Sequence, residues 1–267
     1  MSFNKTLKEQ CILKNNRLCL GLDVDNQKLN NTSLDYMQNF IKDIIDATID
    51  ICPVYKINFA FYEKHGSKGF KILENLCKHI DNKAITIADA KRGDIGNSSK
   101  YYAEAVFDHF NFDSVTVAPY MGIDSVEPFS SFDKNKGVFV LALTSNPGSK
   151  NFQTQLIHNN ELYKHVIELC NKMNINNNIG IVVGATNANY LNDINEISNN
   201  LPWLMPGIGF QGGDLEKSLA IGENNYLSLV NVSRGILFYK DGSIDAIRES
   251  AENYTNEIRK NLWIVRK

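Results

Sequence analysis

Four charged residues stand in or beside two short apolar runs. Lys56 lies inside Val54-Tyr55-Lys56-Ile57-Asn58, and Asp89, Lys91 and Asp94 lie in Asp89-Ala90-Lys91-Arg92-Gly93-Asp94-Ile95-Gly96. Asp89 and Lys91 are two apart, so an extended strand sends both side chains to one face. Lys56 is embedded between apolar neighbours. A buried charge must be paired or it reverts to its neutral form. An alternating Lys–Asp–Lys–Asp array would keep both ammonium groups protonated, and a protonated, fixed lysine is a proton donor. It is a poor Schiff-base nucleophile, which needs a depressed pKa. A structural ion-pair network would use the same residue types, but four such residues together at strand ends favour chemistry.

A second constellation suits an anion. Gly209-Phe210-Gln211-Gly212-Gly213 precedes a helical stretch from Asp214, and Ser233-Arg234-Gly235 ends a later apolar run. Glycines let backbone N–H groups come close to an anion. A helix start adds its dipole and unpaired donors, and arginine adds a bidentate fork. Together they predict a phosphate site, where each alone reads as a glycine turn or a surface arginine. Asp23 and Asp25 can hold a hydroxyl or a metal, though Asp25 reads better as a solvated loop residue. His65, His79, His109, His158 and His165 fall away from the strand ends, and no pair of them has a metal-ligand setting. There is no dinucleotide fingerprint and no Walker loop.

These residues need strands to carry them. Apolar runs recur at Leu18–Val24, Pro53–Phe59, Ala84–Ala90, Ser114–Pro119, Gly137–Leu143, Ile179–Gly184, Trp203–Gly209 and Ser228–Ser233. Most are apolar throughout, as strands buried on both faces are. Amphipathic segments lie between them. Leu34, Met37, Ile41, Ile44, Ile45 and Ile49 follow helical spacing behind Ser33, a candidate N-cap, and Ser243 is placed to cap a last helix. Eight alternating units predict an α/β fold, a single (β/α)8 TIM barrel forming one domain over residues 1–267. An open doubly wound sheet uses the same elements; the count of eight and the length favour the barrel. Functional residues then belong at the carboxyl ends of the strands.

The 267 residues are 43% hydrophobic with a formal net charge of −2. That balance gives no general pull toward nucleic acid or an anionic membrane, so an anionic ligand needs a local site. Cys11, Cys19, Cys52, Cys77 and Cys170 form no CxxC pair, which reads as reduced thiols in a cytoplasmic protein. The polar start MSFNKTLKEQ has no signal-peptide core, and no apolar run reaches the ~20 residues that span a bilayer.

With the strand ends laid out, Asp89-Ala90-Lys91-Arg92-Gly93-Asp94-Ile95-Gly96 resembles the DxKxxDIG signature of the orotidine 5′-phosphate decarboxylase family. Leu22-Asp23, Lys56-Ile57-Asn58, Thr144-Ser145-Asn146-Pro147, Pro206-Gly207-Ile208-Gly209-Phe210-Gln211 and Ser233-Arg234-Gly235 are similar to further family segments, in family order. The details are most similar to the longer, type 2 branch, which includes bacterial and some protist enzymes.

The resemblance implies conversion of orotidine 5′-phosphate to uridine 5′-phosphate and CO2, the last step of de novo UMP synthesis, with no metal and no cofactor. It implies that Lys91 donates the proton to C6 and that Asp89 lies beside the substrate carboxylate. Lys56 and Asp94 would complete the charged network. Asp23 and Asn58 would contact the ribose, and Thr144 and Ser145 would approach the pyrimidine in a pocket lined by Pro206. Gln211 and Arg234 would hold the phosphate, helped by backbone near Ser233 and Gly235. The family works as a homodimer, so Asp94, Ile95 and Ser98 would reach into the partner's site.

Two departures are mild: Ser98 stands where relatives often carry threonine, and Ser233 where they carry glycine. Related phosphosugar barrels, the keto-sugar-phosphate decarboxylases and hexulose-phosphate synthases, share a DxKxxD-like strand end but use Mg²⁺. Lys56-Ile57-Asn58 and the Ile95-Gly96 continuation favour the nucleotide enzyme. A non-catalytic nucleotide-binding protein would be expected to have lost one of the four charges, and a Schiff-base aldolase would need a neutral lysine.

Overall fold

Each apolar run forms a strand because its residues can be buried on both faces. The computed structural model describes residues 1–186, 189–208 and 214–265. Its barrel strands are β1 (Leu18–Gly21), β2 (Val54–Asn58), β3 (Ile85–Arg92), β4 (Ser114–Val117), β5 (Gly137–Leu143), β6 (Ile179–Val183), β7 (Trp203–Pro206) and β8 (Ser228–Val232). All neighbouring pairs are parallel, in chain order, and β8 pairs with β1. The sheet is therefore a closed barrel, which excludes the open doubly wound alternative.

The longer helices are α1 (Phe3–Leu13), α2 (Leu34–Thr48), α3 (Ser67–Ile80), α4 (Gly96–Glu104), α5 (Ile123–Ser130), α6 (Leu162–Met173), α7 (Leu191–Ile197), α8 (Leu215–Asn225) and α9 (Ile244–Val265). Three of their starts are capped by side chains. Ser33 accepts the Tyr36 N–H at 3.2 Å, Ser243 the Ala246 N–H at 3.3 Å and Asp214 the Lys217 N–H at 3.0 Å. Each bond satisfies a donor that the helix leaves unpaired. The stripe Met37, Ile41, Ile44 and Ile45 faces inward, as its spacing predicts.

One buried cluster fills the space between strands and helices. A second lies inside the barrel: Cys19, Val54, Ile85, Ile87, Phe139, Val182, Leu204 and Leu229, joined by Phe3, Leu7 and Cys11 of α1. Helix α1 thus closes the amino-terminal end of the barrel. The polar sequence MSFNKTLKEQ did not predict it. The Phe3 ring lies edge-on to Phe139 at 6.1 Å and passes 2.2 Å from where a side-chain carbon on residue 137 would sit, so Gly137 has to be glycine.

Alternation along the strands carries this interior from apolar to polar. Val54 is followed inward by Lys56 and Asn58, Ile87 by Asp89, and Leu229 by Asn231. The carboxyl end of the barrel is therefore a polar cavity on an apolar floor. All five cysteines are free and buried, and burial pushes the Cys11, Cys52 and Cys170 thiols up to about 12. Among the described residues no helix is long and apolar enough to cross a membrane.

Candidate active site

The cavity at the carboxyl ends of the strands has a volume of about 620 Å³. Its charge begins with Lys56, which is 5% exposed. The register pairs Gly21 with Lys56 and Asn58 with Asp89, bringing the ends of β1, β2 and β3 together. Lys56 Nζ lies 2.8 Å from Asp89 Oδ2 and 3.9 Å from Asp23 Oδ1. Burial works against the Lys56 cation, but the Asp23 and Asp89 carboxylates outweigh it and hold its pKa above the ordinary lysine value. Burial likewise favours neutral Asp89, and the two lysines outweigh it, holding Asp89 well below the usual carboxylate range. Lys91 Nζ lies 2.5 Å from Asp89 Oδ1, and its side chain is half exposed to the cavity. A buried cation, a buried anion and an accessible cation thus stand in line.

The convergence of Asp89 and Lys91 comes from a bulge. Ala88 pairs with Val115 and Arg92 with Val117, so Asp89, Ala90 and Lys91 face the single residue Thr116. Lys91 takes a positive φ of 45°, which a non-glycine residue adopts at a cost and only where its surroundings impose it. Thr116 imposes it here: its hydroxyl accepts the Lys91 N–H at 3.0 Å and donates to Asp89 Oδ1 at 3.1 Å. The simple alternation expected for this strand is broken, yet both side chains still line the cavity. Arg92 braces the turn from outside, donating to Glu63 Oε1 at 2.7 Å between the rings of Phe59 and Tyr102.

Among the described residues the rest of the rim is uncharged apart from Arg234, Lys28 and Asp25. Thr144, Ser145 and Asn146 follow β5, Pro206 ends β7, and Ser233, Arg234 and Gly235 follow β8. The β6 end approaches Ser145 so closely that a side-chain carbon at Gly184 would meet its backbone nitrogen at 2.6 Å. Asp23 Oδ1 and Ser233 Oγ are buried without a hydrogen-bond partner among the described residues. Such a cavity can hold a polyanionic molecule with hydroxyl groups and deliver a proton to it.

A model of the orotidine 5′-phosphate decarboxylase / HUMPS family matches residues 16–247. The chain belongs to that family. It is similar to the orotidine 5′-phosphate decarboxylase of Christiangramia forsetii, with 46% identity over 97% of this chain and 98% of the relative. The orotidine 5′-phosphate decarboxylase of Dehalococcoides mccartyi strain BAV1 is 43% identical over 97% of both chains. Among solved structures, the OMP decarboxylase of Leishmania donovani superposes with a TM-score of 0.87 at 33% identity, covering 98% of this chain and 99% of that one.

Most residues singled out for their resemblance to the orotidine 5′-phosphate decarboxylase family do gather. Asp23, Lys56, Asn58, Asp89, Lys91, Thr144, Ser145, Pro206, Ser233, Arg234 and Gly235 all line the one cavity. Asp94, Ile95 and Ser98 do not line it. Asp94 accepts the Ile95 N–H at 2.8 Å and, among the described residues, makes no ion pair within the chain. Within one chain the charged row is Asp23–Lys56–Asp89–Lys91, and Asp94, expected to reach a partner's site, lies outside it. Gln211 lies outside the described residues.

Sequence reasoning missed Thr116, Gln153, Asn231, Lys28 and Phe238, which also line the cavity. Thr116 and Asn231 had a signal: each is a polar residue at an inward position of an apolar strand, and Asn231 Nδ2 donates to the Cys19 carbonyl at 3.0 Å. Gln153 had none, because it sits in a loop without periodicity. The histidines lie elsewhere, as expected; His79 and His109, for example, meet Asp46 and Glu74 on the surface. No group of three or more His, Cys, Asp or Glu among the described residues is arranged to hold a metal ion.

Proposed function

We propose that this chain, a single barrel domain over residues 1–267, converts orotidine 5′-phosphate to uridine 5′-phosphate and CO2, the last step of de novo UMP synthesis, without metal or organic cofactor. The observation that carries the reading is the Lys56–Asp89–Lys91 row, buried at Lys56 and Asp89 and open to the cavity at Lys91, in a barrel of this family. The bond from C6 to the carboxylate breaks, CO2 leaves and the electron pair stays on C6. That vinyl-type carbanion has little resonance relief, so fixed charge must stabilise it. Lys91, cationic beside Asp89, does so and then gives C6 a proton, which it regains from solvent. Asp89 faces the substrate carboxylate and disfavours it relative to the transition state. Lys56 keeps Asp89 ionised.

Asp23 and Asn58 hold the ribose, and the place of both in the cavity lining supports that role. Thr144, Ser145 and Pro206 hold the pyrimidine. Arg234 and the backbone near Ser233 and Gly235 hold the phosphate, with Gln211. The phosphate is far from the broken bond, so its binding energy serves to assemble the charged site. The active unit is a homodimer in which Asp94, Ile95 and Ser98 enter the partner's cavity. Their absence from the lining of their own cavity supports this, as does the exposure of Ile95, Tyr101, Tyr120, Met121, Ile123 and Phe152 on the segments after β3, β4 and β5.

The test is the ultraviolet absorbance of orotidine 5′-phosphate mixed with purified protein and excess chelator. The spectrum should change rapidly to that of uridine 5′-phosphate. No change with folded protein overturns the proposal, and recovery on adding Mg²⁺ would point to the metal-dependent phosphosugar relatives. In the same assay Arg234→Ala should lower kcat/KM by roughly 10- to 100-fold, the value of a charge-assisted hydrogen bond. An unchanged kcat/KM would remove Arg234 from the phosphate site.

A further inference from the structure

Gln153 belongs to the segment between β5 and α6, and its backbone is tied at both sides: its N–H donates to the Ser149 carbonyl, and its carbonyl accepts the Tyr163 N–H. Its side chain then turns back to the end of β5. Gln153 Oε1 accepts the Thr144 N–H at 2.7 Å, and Gln153 Nε2 donates to Thr144 Oγ1 at 2.9 Å. The Thr144 hydroxyl in turn donates to Asn146 Oδ1 at 2.6 Å. One primary amide thus grips both the backbone and the side chain of a single residue. A carboxylate could accept but not donate, and an apolar isostere could do neither. The clamp also pairs the Thr144 N–H just beyond the end of β5, where the strand has already shifted register between Leu141 and Leu143.

We propose that Gln153 is a positioning residue for the pyrimidine end of the site. It holds the Thr144–Ser145–Asn146 turn in the one arrangement that seats the flat, hydrogen-bonding edge of a pyrimidine ring beside Lys91. The inference rests on the reading of the preceding subsection, because it takes Thr144 and Ser145 as the groups that meet the base. Gln153 and all three turn residues line the cavity, so loosening the clamp changes the wall against which the ring lies. It leaves Ser233, Arg234 and Gly235, the groups proposed for the phosphate, where the segment after β8 puts them.

The test compares wild type with Gln153→Met, using two ligands that share a phosphorylated ribose: uridine 5′-phosphate, and ribose 5-phosphate, which lacks the base. Calorimetry should show the uridine 5′-phosphate Kd rising about tenfold, the effect of losing one to two hydrogen bonds, with ribose 5-phosphate binding unchanged. In steady state KM should rise more than kcat falls, and the thermal midpoint should drop modestly, since the Thr144 N–H loses its acceptor. Equal loss of both ligands, or no loss of uridine 5′-phosphate, overturns the proposal. Gln153→Asn provides a second variant if Gln153→Met does not fold: its amide is one methylene too short to reach Thr144, so it should weaken the nucleotide alone, and equal weakening of both ligands counts against the clamp. Wild-type turnover separates the two readings: without it the decarboxylase reading falls, and with it an unselective Gln153 variant removes only this inference.

Discussion

Lys56 and Asp89 stabilise each other through charge, and that sets the pH range over which the site exists. The folded pKa of Asp89 is depressed, so its contribution is present above the ordinary value of 3.8 and is lost as pH falls from there toward the folded value. The folded pKa of Lys56 is raised, so its contribution is complete below the ordinary value of 10.5 and is lost as pH rises through the folded value. Lys56→Met should raise the Asp89 pKa, because burial would then be opposed by Lys91 alone. The acid limb of a urea-denaturation series should move to higher pH; an acid limb that stays in place contradicts the coupling. Thr116→Val tests the bulge. It strips the acceptor from the Lys91 N–H, which should cost about 1–3 kcal/mol, and it frees Lys91 to drift from Asp89. Lower stability in urea together with lower kcat is the expected result, and wild-type values for both would show that the hydroxyl bridge is idle.

At the scale of elements, the plug under the barrel is the least obvious part. Phe3→Ala empties a ring-sized space among Phe139, Gly137 and the strand starts and should destabilise the protein by about 3–5 kcal/mol. Uridine 5′-phosphate binding to the folded fraction should be unchanged, because the plug and the site occupy opposite ends of the barrel; a matching loss of affinity would show that the two ends are coupled. The eight strands were legible because a strand buried on both faces writes a continuous apolar run. Helix α1 was not, because only Phe3, Leu7 and Cys11 mark its inward face and the text between them is polar. Asp23, Lys56, Asp89, Lys91 and Arg234 were legible because a charge at the end of an apolar strand is rare. The bulge and the positive φ at Lys91 were not, since both depend on which residue of β4 lies opposite. The Gln153 clamp depends on how a loop folds back, and no periodicity records that.

At the scale of the whole molecule, one chain supplies three of the four expected charges, with Asp94 directed elsewhere. A shared site has a distinctive consequence. Lys91→Ala and Asp94→Asn should each be inactive alone, but mixing them and allowing subunits to exchange should restore about a quarter of wild-type sites, those in which one chain gives Lys91 and its partner Asp94. No recovery from variants shown to form mixed dimers would place Asp94 outside the partner's site. The most direct test of the central claim removes the proposed proton donor itself. Lys91→Ala should bind uridine 5′-phosphate measurably by calorimetry while its decarboxylation of orotidine 5′-phosphate falls by at least about 10²–10⁴, the range for a positioned general acid. Turnover near the wild-type rate in that variant would contradict the assignment of Lys91 and the mechanism built on it.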